Sequence, residues 1–120
     1  MSVDSRLTEL AQLQPGWLDG EGVPPTLTAL DEARRLLEGL ADLGVAPARI
    51  YPTEQGGISA EWTRRRCEVS VSFEANGDAE VMLCSLSDGD SRFFHASASI
   101  LDAAWLSNTM MKWVRGKEEL

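Results

Sequence analysis

The spacing of apolar residues changes twice along the chain, from a helical repeat to a strand repeat and back. Up to residue 46, apolar side chains recur every three or four positions, which is typical of helices with one buried face. From residue 47 to 97 they alternate with polar side chains, as in strands of a sheet with one solvated side. The helical repeat returns after residue 98. This order predicts an α+β domain.

Caps and helix breakers delimit the predicted helices. The first covers residues 4–13 and stops at Pro15. The second covers residues 26–43, because Thr26 is a favoured N-cap residue and Gly44 can end a helix. The third covers about residues 100–115, with Ser99 as its cap and Asp102 three residues later.

Five strands are predicted in the alternating part, joined by glycine-containing turns such as Gly56-Gly57, Asn76-Gly77 and Asp88-Gly89. Strands that follow one another in sequence usually pair, so we expect a five-stranded antiparallel meander with the helices on one face. Asn76-Gly77 fits a two-residue turn or a bulged three-residue turn, which leaves the register of the third and fourth strands open. The predicted strands cover residues 49–53, 58–64, 67–73, 80–86 and 92–96.

The 120 residues fit one domain, with 43% hydrophobic and 25% charged residues. We divide it into a helical part over residues 1–46, a sheet over 47–97, a C-terminal helix over 98–116 and a frayed tail over 117–120. No stretch approaches the roughly 18 apolar residues that span a bilayer. The N-terminus also lacks a basic start followed by an apolar run, so we expect a cytoplasmic protein with no membrane partner.

The chain is strongly acidic, with 11 basic and 19 acidic residues and a net charge of −8. A surface of this sign repels phosphates, which disfavours direct binding of nucleic acid. It also accelerates encounter with a basic protein, so a basic partner is the expected one.

Candidate contacts for such a partner are acidic side chains and two apolar ones on the third helix. Leu101 and Trp105 project away from the apolar stripe of that helix. Cover by the first helix, a partner protein, or a second copy of the chain would each account for them. Glu61, Glu68 and Glu74 lie on polar strand faces, where a solvated acidic surface is the ordinary interpretation. The partner-binding candidates are Asp31, Glu38, Asp42, Asp88, Asp90, Leu101 and Trp105.

The sequence offers no set of catalytic residues for most classes of enzyme. His95 is the only histidine, and acid–base work by it would need a carboxylate or thiol neighbour that the sequence cannot place. We interpret Cys67 and Cys84 as reduced thiols buried in the core, and we expect no metal site and no cofactor. Asp88-Gly89-Asp90 reads as a hairpin turn, because it lacks the other ligands of a calcium loop.

The chain has one basic cluster, formed by Arg64, Arg65 and Arg66. It falls where the second strand turns into the third, and a solvated surface turn is the ordinary interpretation. The alternative is an anion site, since adjacent guanidinium groups hold a phosphate or carboxylate with forked hydrogen bonds.

A motif covers about half of the chain. It consists of GWLDG at residues 16–20, PP at 24–25, IYPT at 50–53, GGI at 56–58 and EW at 61–62. This motif resembles a pattern in a family of small bacterial proteins with no established activity. The resemblance implies no catalytic residues, although small acidic α+β proteins of this kind are often encoded beside toxins or in mobile elements. The residues themselves predict a scaffold: Trp17 pins its loop to the core, Trp62 enters the core, and Gly56 and Gly57 make a hairpin.

Three hypotheses about function remain. The first is an acidic inhibitor or neutraliser of a basic protein, of the immunity-protein or antitoxin kind. The second is an inhibitor that imitates phosphate charge in a nucleic-acid-handling complex, as anti-CRISPR proteins do. The third is a small enzyme or ligand-binding protein that uses His95, Cys84 or the cluster Arg64 to Arg66.

Overall fold

Five strands form one antiparallel sheet, in sequence order, in a computed structural model that describes residues 2–47 and 49–118. The predicted α+β fold, with two N-terminal helices and one C-terminal helix, is confirmed. None of the helices in the described chain combines the length and apolar character needed to cross a bilayer. The strands are β1 (Arg49–Pro52), β2 (Ile58–Arg64), β3 (Cys67–Phe73), β4 (Asp78–Ser85) and β5 (Ser91–Ser97). The helices are α1 (Val3–Leu10), α2 (Leu27–Asp42) and α3 (Ala103–Glu118), with a 3-10 turn at Ala98–Ile100.

The sheet buries one of its two faces. On β3, Val69, Val71 and Phe73 lie in the core, while the alternate side chains point away from it. The apolar side chains of α1, α2 and α3 share this core. We call the opposite side, formed by the side chains that alternate with the buried ones, the open face.

Helix α2 begins and ends where its sequence signals predict. The Thr26 hydroxyl accepts a hydrogen bond from the Ala29 N–H at 3.1 Å and donates one to the Ala75 carbonyl at 2.9 Å. At the other end Gly44 has a φ of +80°, and the Val45 N–H returns to the Leu40 carbonyl at 2.8 Å. The N-cap therefore also ties α2 to the turn between β3 and β4.

That turn resolves the register left open by the sequence. The Glu74 N–H donates to the Asp78 carbonyl at 2.8 Å, and Phe73 pairs with Ala79. Three residues lie between Glu74 and Asp78, the last of them Gly77 with a φ of +97°, as in a bulged three-residue hairpin. Strand β4 consequently begins at Asp78, two residues before the predicted start.

Helix α3 begins later than predicted. Its first turn is capped by Asp102, whose carboxylate accepts from the Trp105 N–H at 3.2 Å, so Ser99 is not the cap. Leu101 precedes the helix and is only 8% exposed in the core. The helix also continues to Glu118, which places Lys117 in its last turn rather than in a frayed tail. Residues 119 and 120 of the predicted tail lie outside the described residues.

The motif residues hold the N-terminal loop and the first hairpin together. The Trp17 indole N–H donates to the Val23 carbonyl at 2.9 Å, so Trp17 closes its own loop and stays outside the core. Trp62 is buried and donates to the Val45 carbonyl at 3.3 Å. The Thr53 hydroxyl accepts from the Gly57 N–H at 3.0 Å in the hairpin between β1 and β2.

Replacing Gly57 by alanine should destabilise the fold by more than about 2 kcal/mol. An added Cβ would lie 2.6 Å from the Phe73 carbonyl oxygen and 2.9 Å from the Thr53 hydroxyl, so backbone would have to move. Gly116→Ala is the control, because its Cβ would meet no atom within 4 Å. Urea unfolding of the two variants measures the difference, and equal midpoints would contradict this account.

Candidate functional site

The helices leave the open face of the sheet uncovered, and this face is acidic. Five carboxylates share it with one guanidinium, that of Arg49. Phe93 lies on the same face of β5, opposite Met82, and is 61% exposed. The carboxylates of the open face belong to Glu61, Glu68, Glu74, Asp78 and Glu80.

One of these carboxylates is engaged within the chain. Glu61 accepts a hydrogen bond from the Tyr51 hydroxyl at 2.7 Å and lies 3.7 Å from the Arg49 guanidinium. The Ser59 hydroxyl lowers the pKa of Tyr51, but the hydrogen bond to Glu61 and burial outweigh it, so the pKa is raised overall. Among the described residues, the other four carboxylates have no cation within ion-pairing distance. They are available to a partner.

Two of the four converge on the single histidine at one end of the open face. The turn that closes β3 on β4 brings Glu74 beside Asp78, and β5 presents His95 next to them. Donor atoms of the three side chains all lie within 4.8 Å of one another. An imidazole with two carboxylates is a donor set that a divalent cation accepts, with water completing its shell. Strand alternation could have placed Asp78 and His95 on one face, but only once the register of β4 was known.

The acidic side chains of the turn after β4 form ion pairs with a lysine of α3. The Lys117 ammonium lies 3.0 Å from the Asp88 carboxylate and 2.9 Å from that of Asp90. It also lies 4.5 Å from the centre of the Trp113 ring, whose indole N–H donates to the Cys84 carbonyl at 3.3 Å. Both aspartates therefore fasten the end of α3, and they offer less charge to a partner than the sequence indicated.

The acidic group on α2 remains exposed. Asp31 and Asp42 lie at its solvent side, and Glu38 lies 3.9 Å from the Arg34 guanidinium.

The two apolar residues predicted to project from the third helix, Leu101 and Trp105, differ in exposure. Leu101 is buried, and Trp105, at 41% exposure, packs edge-on against Phe94 of β5 with ring centres 5.6 Å apart. Trp105 is therefore covered in part by β5 and not by α1. Leu101 is buried, so it is not available to a partner or a second copy.

The basic cluster forms the turn between β2 and β3. Arg65 and Arg66 have φ angles of +48° and +66°, the left-handed conformation of a type I′ turn that usually takes Asn-Gly. A side chain in this conformation costs about 1–2 kcal/mol per residue. Arg64 ends β2 on the side of the helices, so the cluster lies away from the acidic open face.

The two cysteines lie on opposite faces of the sheet. Cys67 is buried against the helices, and Cys84 is half-buried on the open face. No disulfide joins them, as the sequence predicts, but Cys84 lies outside the core, where the sequence had placed both.

Comparison of the chain with protein-family models, with curated proteins and with solved structures gives no match. Function therefore has to be inferred from the site itself.

Replacing Lys117 by glutamine should raise the pKa of Asp88. The Asp90 backbone N–H and the Lys117 ammonium lower that pKa from 3.8 to about 2, and the N–H bond would persist in the variant, so we expect a partial rise. Carboxyl ¹³C NMR titration measures it. Because the folded-state pKa is lowered, ionised Asp88 stabilises the fold above pH 3.8, and this contribution is lost as the pH falls towards 2.

Acid unfolding of Lys117→Gln should therefore depend less steeply on pH in that window than unfolding of the parent chain. Lys112→Gln is the matched control, because it removes an exposed lysine from the same helix. An unchanged pKa of Asp88 in Lys117→Gln would show that the Lys117 ammonium does not contribute to the shift.

Proposed function

We propose that this protein binds a basic protein on the open face of its sheet and acts by binding rather than by catalysis. The observation that carries the proposal is the set of four unpaired carboxylates on that face, together with an exposed aromatic ring. Charge of this sign steers a basic partner to the surface, while the exposed ring of Phe93 on the edge strand β5 supplies apolar contact once the partner has docked.

The shape of the open face supports the same conclusion. Glu68 and Glu74 lie at the two ends of β3, about 20 Å apart along the strand. Phe93 stands two strands away from β3, so the carboxylates and the ring together span several strands. This is the width expected of a protein–protein interface, not of a pocket for one small substrate.

The role that fits a binding surface of this kind is neutralisation. Occupying a cationic surface on a toxin, in the manner of an immunity protein or antitoxin, requires acidic side chains in a rigid array. A sheet holds such an array at fixed spacing, because its backbone is hydrogen-bonded on both sides of β3. A partner whose cationic surface ordinarily binds nucleic acid would be engaged by the same array through imitation of phosphate charge.

Neutralising three carboxylates of the open face should weaken binding of the basic partner. We would capture that partner from the native lysate at low salt, purify it, and measure its affinity for three forms of the chain by calorimetry. Glu68→Gln/Glu74→Gln/Glu80→Gln removes three charges from the open face. Asp31→Asn/Glu38→Gln/Asp42→Asn removes three charges from α2 and is the matched control.

We expect the open-face variant to bind at least about tenfold more weakly, the α2 variant to bind nearly as well as the parent chain, and added salt to weaken binding. Loss of affinity only in the α2 variant would show that the partner binds at α2 and not at the open face. Equal affinity for all three forms, or capture of no basic protein, would refute the proposal. Displacement of the partner by duplex DNA would identify a phosphate-mimicking inhibitor.

A further inference from the structure

A second surface, on the helix side of the sheet, has the opposite character. A groove of about 480 Å³ opens between the C-terminal end of α2, the hairpin of β2 and β3, and α3. Its floor consists of Trp62, Val69 and Met110, all buried. Leu43 and Met111 form its walls and are 53% and 52% exposed, so apolar side chains face solvent around an apolar floor. This volume is in the range of small-molecule sites.

The mouth of the groove is basic. Arg64 and Arg115 are exposed and belong to its lining residues, and none of the described lining residues is acidic. Neither arginine makes an ion pair with another described residue. In a chain with a net charge of −8, two unpaired guanidinium groups at one apolar opening are a local exception. The left-handed turn at Arg65 and Arg66 follows Arg64 directly and fixes where β2 ends.

We propose that this groove binds an amphipathic monoanion, an apolar chain that carries one carboxylate. The chain would lie over Trp62 and Met110, and the carboxylate would accept hydrogen bonds from Arg64 and Arg115 at the mouth. A single negative charge fits better than a phosphate ester, because each further charge increases repulsion by the rest of this acidic chain. The proposal does not depend on the open face, which lies on the other side of the sheet.

Decanoate, below its micelle concentration, is the probe. Methionine methyl NMR reports on the site, since Met110 and Met111 line the groove and Met82 lies on the open face. We expect the signals of Met110 and Met111 to shift saturably and that of Met82 to stay in place. No shift at the two groove methionines would overturn the proposal, and so would equal shifts at all three, which would indicate a surfactant effect.

Substitutions at the groove test whether the negative charge of the ligand is recognised. Arg64→Gln/Arg115→Gln should weaken decanoate binding by about tenfold or more, whereas Arg49→Gln/Lys112→Gln, which removes the same charge elsewhere, should not. Met111→Glu should abolish binding by placing a carboxylate at the wall, and Met111→Gln should retain it; the exposure of Met111 makes both changes compatible with folding. Binding of decanol as tight as that of decanoate would refute recognition of an anion.

Discussion

One-sided burial of the sheet is the constraint on which the rest of this structure depends. Helices α2 and α3 have 16 residues each and cover one face of five strands, and the described chain places no further helix on the other face. Side chains on β3 must therefore alternate between core and solvent, as Val71 and Ser72 do. The open face can then carry charge at little cost, because its carboxylates stay hydrated. The charge of the open face is therefore a consequence of the helices packing on only one side of the sheet.

Local signals in the sequence were enough to predict where most helices and strands lie. The bounds of β2 and β3 agree with the alternation of apolar residues, and Thr26 and Gly44 mark the limits of α2. Errors arose where two local signals competed. Ser99 and Asp102 are both good caps, and the burial of Leu101 in the core, a tertiary effect, decides for Asp102. The predicted helix started at Ile100, which is apolar but lies exposed in the 3-10 turn before α3.

The candidate sites were harder to predict because their residues meet through long-range contacts. His95 reaches Glu74 and Asp78 across two strand pairings, and a shift of one residue at the turn after β3 would have moved one partner to the other face. Lys117 neutralises Asp88 from 29 positions away, through a helix end that composition alone suggested was frayed. Exposure of a charged residue can be predicted from pattern, but its pairing cannot.

The open face and the groove differ in local charge. Carboxylates gather on the open face, and unpaired guanidinium groups gather at the groove beside α3. Salt therefore acts differently on the two sides. Attraction of a basic protein to the open face is a sum over exposed charges and weakens as salt rises. An anion at the groove is attracted by Arg64 and Arg115 nearby and repelled by the distant carboxylates. A Debye length of about 8 Å at physiological salt weakens this repulsion, so the preference for a single charge is strongest at low salt, while contact with the two arginines and the apolar floor acts at any salt concentration.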